Sequence, residues 1–238
     1  MRTIIYGDIH GCLDEFQMLR KELDLTKNDR EISVGDLLDR GPMSNEVLSY
    51  ARENSIEPVL GNHEYKYIRY QRHHDAFVQR GKANPMCLND EKINIFKNIS
   101  AEDMAYLQAA PFYKKIDKLT VLHAGITNRI DLNAAQEKEL KAVTMIRTLD
   151  EDHKPLRLGK TIWNSSFWSE VYDGNQGIIV YGHEAHSKVK IDKYSFGIDT
   201  GCVYGNKLTA LVIHDTKEPM FNYDIVQVAA KRAYAQKK

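Results

Sequence analysis

Four histidines of this 238-residue chain sit in short frames of glycine, aspartate and asparagine. They are Gly7-Asp8-Ile9-His10-Gly11, Gly61-Asn62-His63-Glu64, His123-Ala124-Gly125 and Gly182-His183, and Gly35-Asp36-Leu37-Leu38-Asp39-Arg40-Gly41 lies between the first two. Carboxylates, imidazoles and an amide oxygen form the donor set of a hard-to-borderline divalent metal site. Asp8 and His10, two residues apart at an extended strand end, would face one way and grip one ion. The two oxygens of Asp36 suit a bridge between two ions, and Asn62, His123 and His183 would complete the second position. Two such ions, roughly 3.5–4 Å apart, activate a water and neutralise phosphoryl oxygens during in-line displacement, the chemistry of phosphate-ester hydrolysis.

Three neighbouring residues would complete that chemistry. His63 follows a ligand without needing to be one and is placed to protonate a leaving oxygen, with Asp39 holding its other nitrogen. Arg40 offers a guanidinium fork to two phosphate oxygens. One Asp-x-His after a strand is weak evidence, and Gly-Asp-x-x-Asp-Arg-Gly alone is compatible with a capped turn. Five frames in series are not plausibly all structural.

The elements that must position these frames alternate along the chain. Apolar strand candidates end at Tyr6, Val34, Leu60, Leu122 and Tyr181, and the first three lead into helical patterns, with Leu13, Phe16, Leu19 and Leu23 marking one helix face. A βαβαβα order places the frames on one rim at the strand ends. After Asp199 the segments Leu208–Ile213 and Phe221–Val226 read as strands without an intervening helix. They predict a second, more antiparallel sheet. The expected fold class is α/β (α+β), with two packed mixed β-sheets and helices outside, in a single domain over 1–238. Residues Ala229–Lys238 read as a short helix or frayed tail. Helical lid insertions are expected over about 65–111 and 127–168, where they would shape substrate choice. His73-His74 read as solvated or lid-packing, since adjacent helical side chains diverge. Tyr65, Tyr67, Tyr70, Trp163, Phe167 and Trp168 are candidates for stacking a base, with core packing the competing reading for both tryptophans.

Lys plus Arg and Asp plus Glu both number 33, so no basic block advertises a duplex nucleic acid or an anionic membrane. No apolar run approaches the roughly 18 residues of a bilayer span, and no leader-like stretch precedes Thr3, so the expected location is cytoplasmic. Cys12, Cys87 and Cys202 lack metal-motif spacing and read as reduced thiols.

The set of frames resembles the phosphoprotein-phosphatase group of calcineurin-like metallophosphoesterases from Tyr6 to about Leu211. The segment Ile198-Asp199-Thr200-Gly201-Cys202-Val203-Tyr204-Gly205-Asn206-Lys207-Leu208-Thr209-Ala210 is similar to bacterial members, among them asymmetric diadenosine tetraphosphate hydrolases and the phosphatase module of an RNA-repair enzyme. The resemblance implies two metals on Asp8, His10, Asp36, Asn62, His123 and His183, and the catalytic roles given above for His63, Asp39 and Arg40. It also implies Asp199 at the site edge and a second phosphate-binding arginine, for which Arg147 is preferred to Arg157. Many members carry Gly-His-Thr-Pro where this chain has Gly182-His183-Glu184-Ala185. The expected cofactors are two divalent ions, Mn first, with Fe, Zn or Co also compatible with the donor set. The expected substrate is a phosphoprotein, with a dinucleoside tetraphosphate or an RNA end as the alternative. A non-catalytic phosphate-binding module is disfavoured by the intact ligand set.

Overall fold

The computed structural model describes residues 2–157, 160, 162–215 and 222–237. In chain order the first elements are β1 (Thr3–Tyr6), α1 (Leu13–Glu22), β2 (Arg30–Ser33), α2 (Ser44–Glu53), β3 (Glu57–Pro58) and α3 (Asn62–Arg80). Then come α4 (Asp90–Lys97), α5 (Ala101–Ala109), β4 (Tyr113–Ile116), β5 (Leu119–Leu122), α6 (Glu137–Ala142) and β6 (Thr148–Leu149). The remainder comprises β7 (Ser166–Phe167), α7 (Trp168–Val171), β8 (Ile178–Tyr181), β9 (Lys190–Asp192), β10 (Ser195–Gly197), β11 (Lys207–Ile213) and β12 (Tyr223–Ala229).

One five-stranded sheet has the order β12-β11-β1-β2-β3 and the other β4-β5-β8-β10-β9, with β6 and β7 pairing apart. Strands β1, β2 and β3 run parallel, as do β5, β8 and β10, and the antiparallel strands flank them. The alternation of side chains builds three apolar layers. Ile5, Ile32 and Leu211 of the first sheet meet Val121, Val180 and Phe196 of the second. Ile4 and Tyr6 turn outward onto Phe16, Leu19, Val47 and Leu48 of α1 and α2. On the far side Ile179 and Tyr181 pack with Trp168, Val143 and Ile146. α1 carries Asp14 and Glu15 in its first turn and Arg20 and Lys21 in its last, in line with the helix dipole.

The two mixed sheets agree with the expected class, but their membership differs. Leu208–Ile213 forms the body of β11, which lies antiparallel to β1, with β12 beyond it, so both late strands extend the first sheet. The second sheet is assembled from residues 113–197. The absence of an intervening helix correctly signalled antiparallel pairing, but it carried no information about which edge the strands join. Phe221 lies outside the described residues. β2 and β3 stop one and two residues short of Val34 and Leu60, and Asn62 opens α3 instead of ending a strand. Residues 230–237 are neither a helix nor frayed: Tyr234 and Ala235 donate backbone N–H groups to the Val203 carbonyl, and the Lys231 N–H donates to Glu15.

Glu57 ties the sheets at one edge, accepting a bidentate pair of bonds from Arg30 on β2 and one from Lys114 on β4. The Arg30 guanidinium first, and Lys114 with it, hold the Glu57 carboxyl down to about 2. A carboxyl lowered on folding contributes stability above its ordinary value, and that contribution is lost as pH falls towards 2. In acid titrations followed by circular dichroism, Glu57→Gln should therefore lower stability near neutrality and flatten its loss between about pH 4.5 and 2. An unaltered acid profile would show that this tie carries no weight.

Candidate metal centre

Six parallel strand ends from the two sheets deliver the expected residues to one buried place. β1 leads to Asp8 and His10, β2 to Asp36, β3 to Asn62, β5 to His123, β8 to His183 and β10 to Asp199. Asp8, His10, Asp36, His123, His183 and Asp199 are all buried. Among the described residues, five of the ten non-glycine positions with positive φ are His10, Asp36, Asp39, Arg40 and His183. Such backbone is costly and persists where surrounding contacts enforce it. It also corrects the expected local geometry, because Asp8 and His10 are not an extended strand end: His10 is in a left-handed turn, and the Asp36 carbonyl accepts from both the Ile9 and His10 N–H groups.

Two trios of donor atoms converge, His10 with Asp36 and His63, and Asp36 with His123 and His183, so Asp36 belongs to both. His10 Nε2 lies 3.5 Å from Asp36 Oδ2 and 3.9 Å from Asp8 Oδ2. His123 Nε2 lies 3.4 Å from Asp36 Oδ1, 2.9 Å from Asn62 Oδ1 and 3.1 Å from His183 Nδ1. The Nδ1–H groups of His10 and His123 donate to the carbonyls of Leu38 and Val34, both at 2.8 Å, which turns each Nε2 lone pair inward. Glycines make room: a Cβ at Gly182 would collide with Asp8 Oδ1, and one at Gly61 would lie 2.5 Å from Asp36 N and from Glu64 Oε2.

The electrostatics call for a cation. Burial first, then Asp199 and Asp36, push the Asp8 carboxyl well above its ordinary value, and burial raises Asp199 to about 6. Burial opposes ionisation of Asp36 too, but His123 and His63 outweigh it and hold that carboxyl low. Burial takes His10 down to about 3, leaving its imidazole neutral and ligand-ready. Burial likewise lowers His183, whose buried Nε2 has no hydrogen-bond partner among the described residues. Crowded carboxylates facing inward-turned imidazole lone pairs fit a pair of divalent ions.

His63 stands apart in its partners. Its Nδ1 is 2.5 Å from Asp39 Oδ2, whereas its Nε2 meets Arg40 at 3.3 Å. Asp39 is also bonded by Tyr67 and Lys92, and its carboxyl is held low against burial by His63 first. Arg40 reaches His10 Nε2 at 3.1 Å and the Tyr204 hydroxyl, with its guanidinium over the Tyr204 ring. Arg147 lines the same cleft as Arg40, His63 and His183, and its Nε lies 2.6 Å from Glu184 Oε2 in an ion pair. Arg157 is exposed and does not line that cleft. Asp199 accepts from the Gly201 N–H, and its charge helps to raise the Asp8 carboxyl.

Several neighbours escaped the sequence reading. Glu64, within the Gly61–Glu64 frame, accepts from the N–H groups of Asp36, Leu38 and Gly61 and is raised to about 7, chiefly by burial. Tyr204 lay inside the quoted C-terminal segment. Lys92 carried no signal, being 53 residues from Asp39. Of the aromatic candidates, Tyr67 and Trp168 are buried, Tyr65 and Tyr70 pack on Phe112 and Phe96, and Phe167 packs near Trp168, Tyr181 and His186. Trp163 is 93% exposed, so the core-packing reading holds for Trp168 alone. His74 packs against Tyr70 and Phe96.

The sequence profile of the calcineurin-like phosphoesterases matches residues 1–217, and the chain belongs to that family. It is thus a metal-dependent phosphoric ester hydrolase, and members of the family use a dinuclear divalent metal centre. It is 32% identical over 225 residues to the asymmetrical bis(5'-nucleosyl)-tetraphosphatase PrpE of Anoxybacillus flavithermus, covering 87% of this chain and 88% of that one. The protein of the same name from Bacillus subtilis is 31% identical over 229 residues, covering 86% and 88%. The crystal structure of a candidate diadenosine tetraphosphatase superposes with a TM-score of 0.74 at 24% identity, covering 96% of this chain and 93% of that one, and shares its fold.

A shared Asp36 and a separately held His63 should behave differently when altered. Asp36→Asn should lower metal content at both positions in elemental analysis. His63→Asn should retain both ions while turnover falls roughly 10²–10⁴-fold, the usual contribution of a positioned acid. Loss of an ion from His63→Asn would make His63 a ligand.

Proposed function

We propose that the chain hydrolyses dinucleoside tetraphosphates asymmetrically, giving a mononucleotide and a nucleoside triphosphate, with two divalent ions of which Mn is the first to test. The observation that carries this reading is the charge of the cleft. A cavity of about 760 Å³ borders His63 and His183, and Arg40, Lys92, Arg147 and Lys237 line it against Glu91 and Glu184. Cations spread along a cleft suit a chain of phosphates better than one phosphoryl group on a protein surface. The names borne by relatives aligned over nearly the whole chain support the same choice, and weigh against the phosphoprotein substrate expected first. Lys92 and Arg147 come from the two expected insertions, which we read as walls of the cleft.

Asp8, His10, Asp36, Asn62, His123 and His183 would hold the ions, with Asp36 between them. When bound, the ions supply Lewis acidity at the phosphoryl oxygens and an activated water. Arg40 and Arg147 would orient the phosphate under attack, Arg147 by leaving Glu184 for the substrate. His63 lines the cleft while Asp39 accepts from its Nδ1–H, an arrangement that supports a protonated His63 as the donor to the departing oxygen through Nε2. Lys92 and Tyr67 secure Asp39 and, through it, the orientation of that ring. Among the described residues, no helix is long and apolar enough to cross a membrane.

Incubation with diadenosine tetraphosphate and Mn, followed by chromatography, should give equal amounts of AMP and ATP. Chelation should abolish the reaction and Mn should restore it. Release of two ADP, or turnover confined to phosphopeptides, would overturn the proposal.

A further inference from the structure

A second groove of about 790 Å³ opens beside the first. Arg40, Glu91 and Tyr234 line both, so the two are continuous around the Arg40 guanidinium. One wall is the chain after β12, at Arg232–Tyr234, and the other is α4, at Asn94 and Ile95, with Asn98 just after it. The character changes at the junction. The cleft beside His63 is cationic, whereas this groove balances Arg40 and Arg232 against Glu46 and Glu91 and adds the amides of Asn45, Asn94 and Asn98. A further phosphate gains nothing from balanced charge. Asn45 and Asn98 commit their Nδ2 groups to Ile95 and Asn94, which leaves the Asn45 and Asn98 Oδ1 atoms as acceptors. A neutral group rich in donors, such as a base with its ribose, matches them.

The groove also presents an aromatic ring held in place. Tyr234 donates its hydroxyl hydrogen to Glu15 Oε1 at 2.8 Å and its N–H to the Val203 carbonyl at 2.9 Å. The Arg232 guanidinium lies over that ring, 5.3 Å from its centroid, and would swing aside for a base to take its place. A ring fixed by two bonds loses little freedom when a second planar group stacks nearby. Residues 232–234 lie outside the span matched to the family, which ends at 217.

We propose that this groove is a nucleoside-binding subsite, taking one nucleoside of the dinucleotide while the phosphate chain passes Arg40 into the cationic cleft. The assignment rests on the substrate reading above. It makes Tyr234, on the chain after β12, and Asn94, on α4, determinants of specificity for a nucleoside-bearing substrate over a short phosphate ester.

The test compares diadenosine tetraphosphate with p-nitrophenyl phosphate, which is too short to span both cavities. Asn94→Trp fills the groove from an exposed helix position, and Tyr234→Ala removes the ring. In both variants the ratio of kcat/KM for the dinucleotide to kcat/KM for the small ester should fall roughly tenfold, on the scale of one lost stacking contact. The loss should reside mainly in KM. An equal change for both substrates, or no change for either, in both variants would overturn the subsite alone. Wild-type protein that hydrolyses the small ester but not the dinucleotide would overturn the substrate reading and the subsite with it.

Discussion

A buried carboxylate that must remain ionised is the constraint around which this protein is arranged. Asp36 is 1% exposed, and burial alone would neutralise it. Its Oδ1 accepts from the His63 N–H and faces His123, while its Oδ2 faces His10. Its carbonyl accepts from Ile9 and His10, and its N–H donates to Glu64. The loops after β1, β2, β3 and β5 are thereby organised about one residue. The second sheet must come close enough to present His123, and that requirement fixes how the sheets pack at this end.

Glu64 acts one step behind. Its carboxylate gathers three backbone N–H groups from the turn carrying Asp36 and the turn opening α3, donors that would otherwise be buried without partners. Asp36 itself is left-handed, and the bonds to Glu64 help to hold the turn in that costly conformation. The chemistry at Asp36 and the capping of α3 by Glu64 are therefore parts of one hydrogen-bonded unit.

Much of this was legible in the sequence because glycine frames mark places where backbone crowds a functional side chain. Apolar runs and helical patterns located β1, β5, β8, α1 and α2 closely. What the pattern lacked was long-range pairing. Nothing in Leu208–Ile213 says that it lies against Thr3–Tyr6 rather than in the other sheet, since apolar alternation fits either edge. Asp8 and His10 do come within 3.9 Å of each other, but through a left-handed turn at His10 and not through strand alternation. The partners of Asp39 and Arg40 were invisible for a related reason. Lys92 and Tyr204 lie 53 and 164 positions away, and only the folded chain brings them near.

The pairing of β1 with β11 has a bearing on how the molecule is made. β1 occupies the centre of the first sheet, yet the strand on one side of it begins at Lys207. During synthesis the first strand leaves the ribosome with four residues destined for full burial and waits for nearly the whole chain before that edge is closed. Contacts of such high sequence separation form slowly, and an open apolar edge invites pairing with other chains in the interval. A polypeptide terminated before Lys207 would retain every residue named above for the candidate metal centre and still expose the flank of its central strand. Its expected fate is aggregation rather than life as a smaller hydrolase.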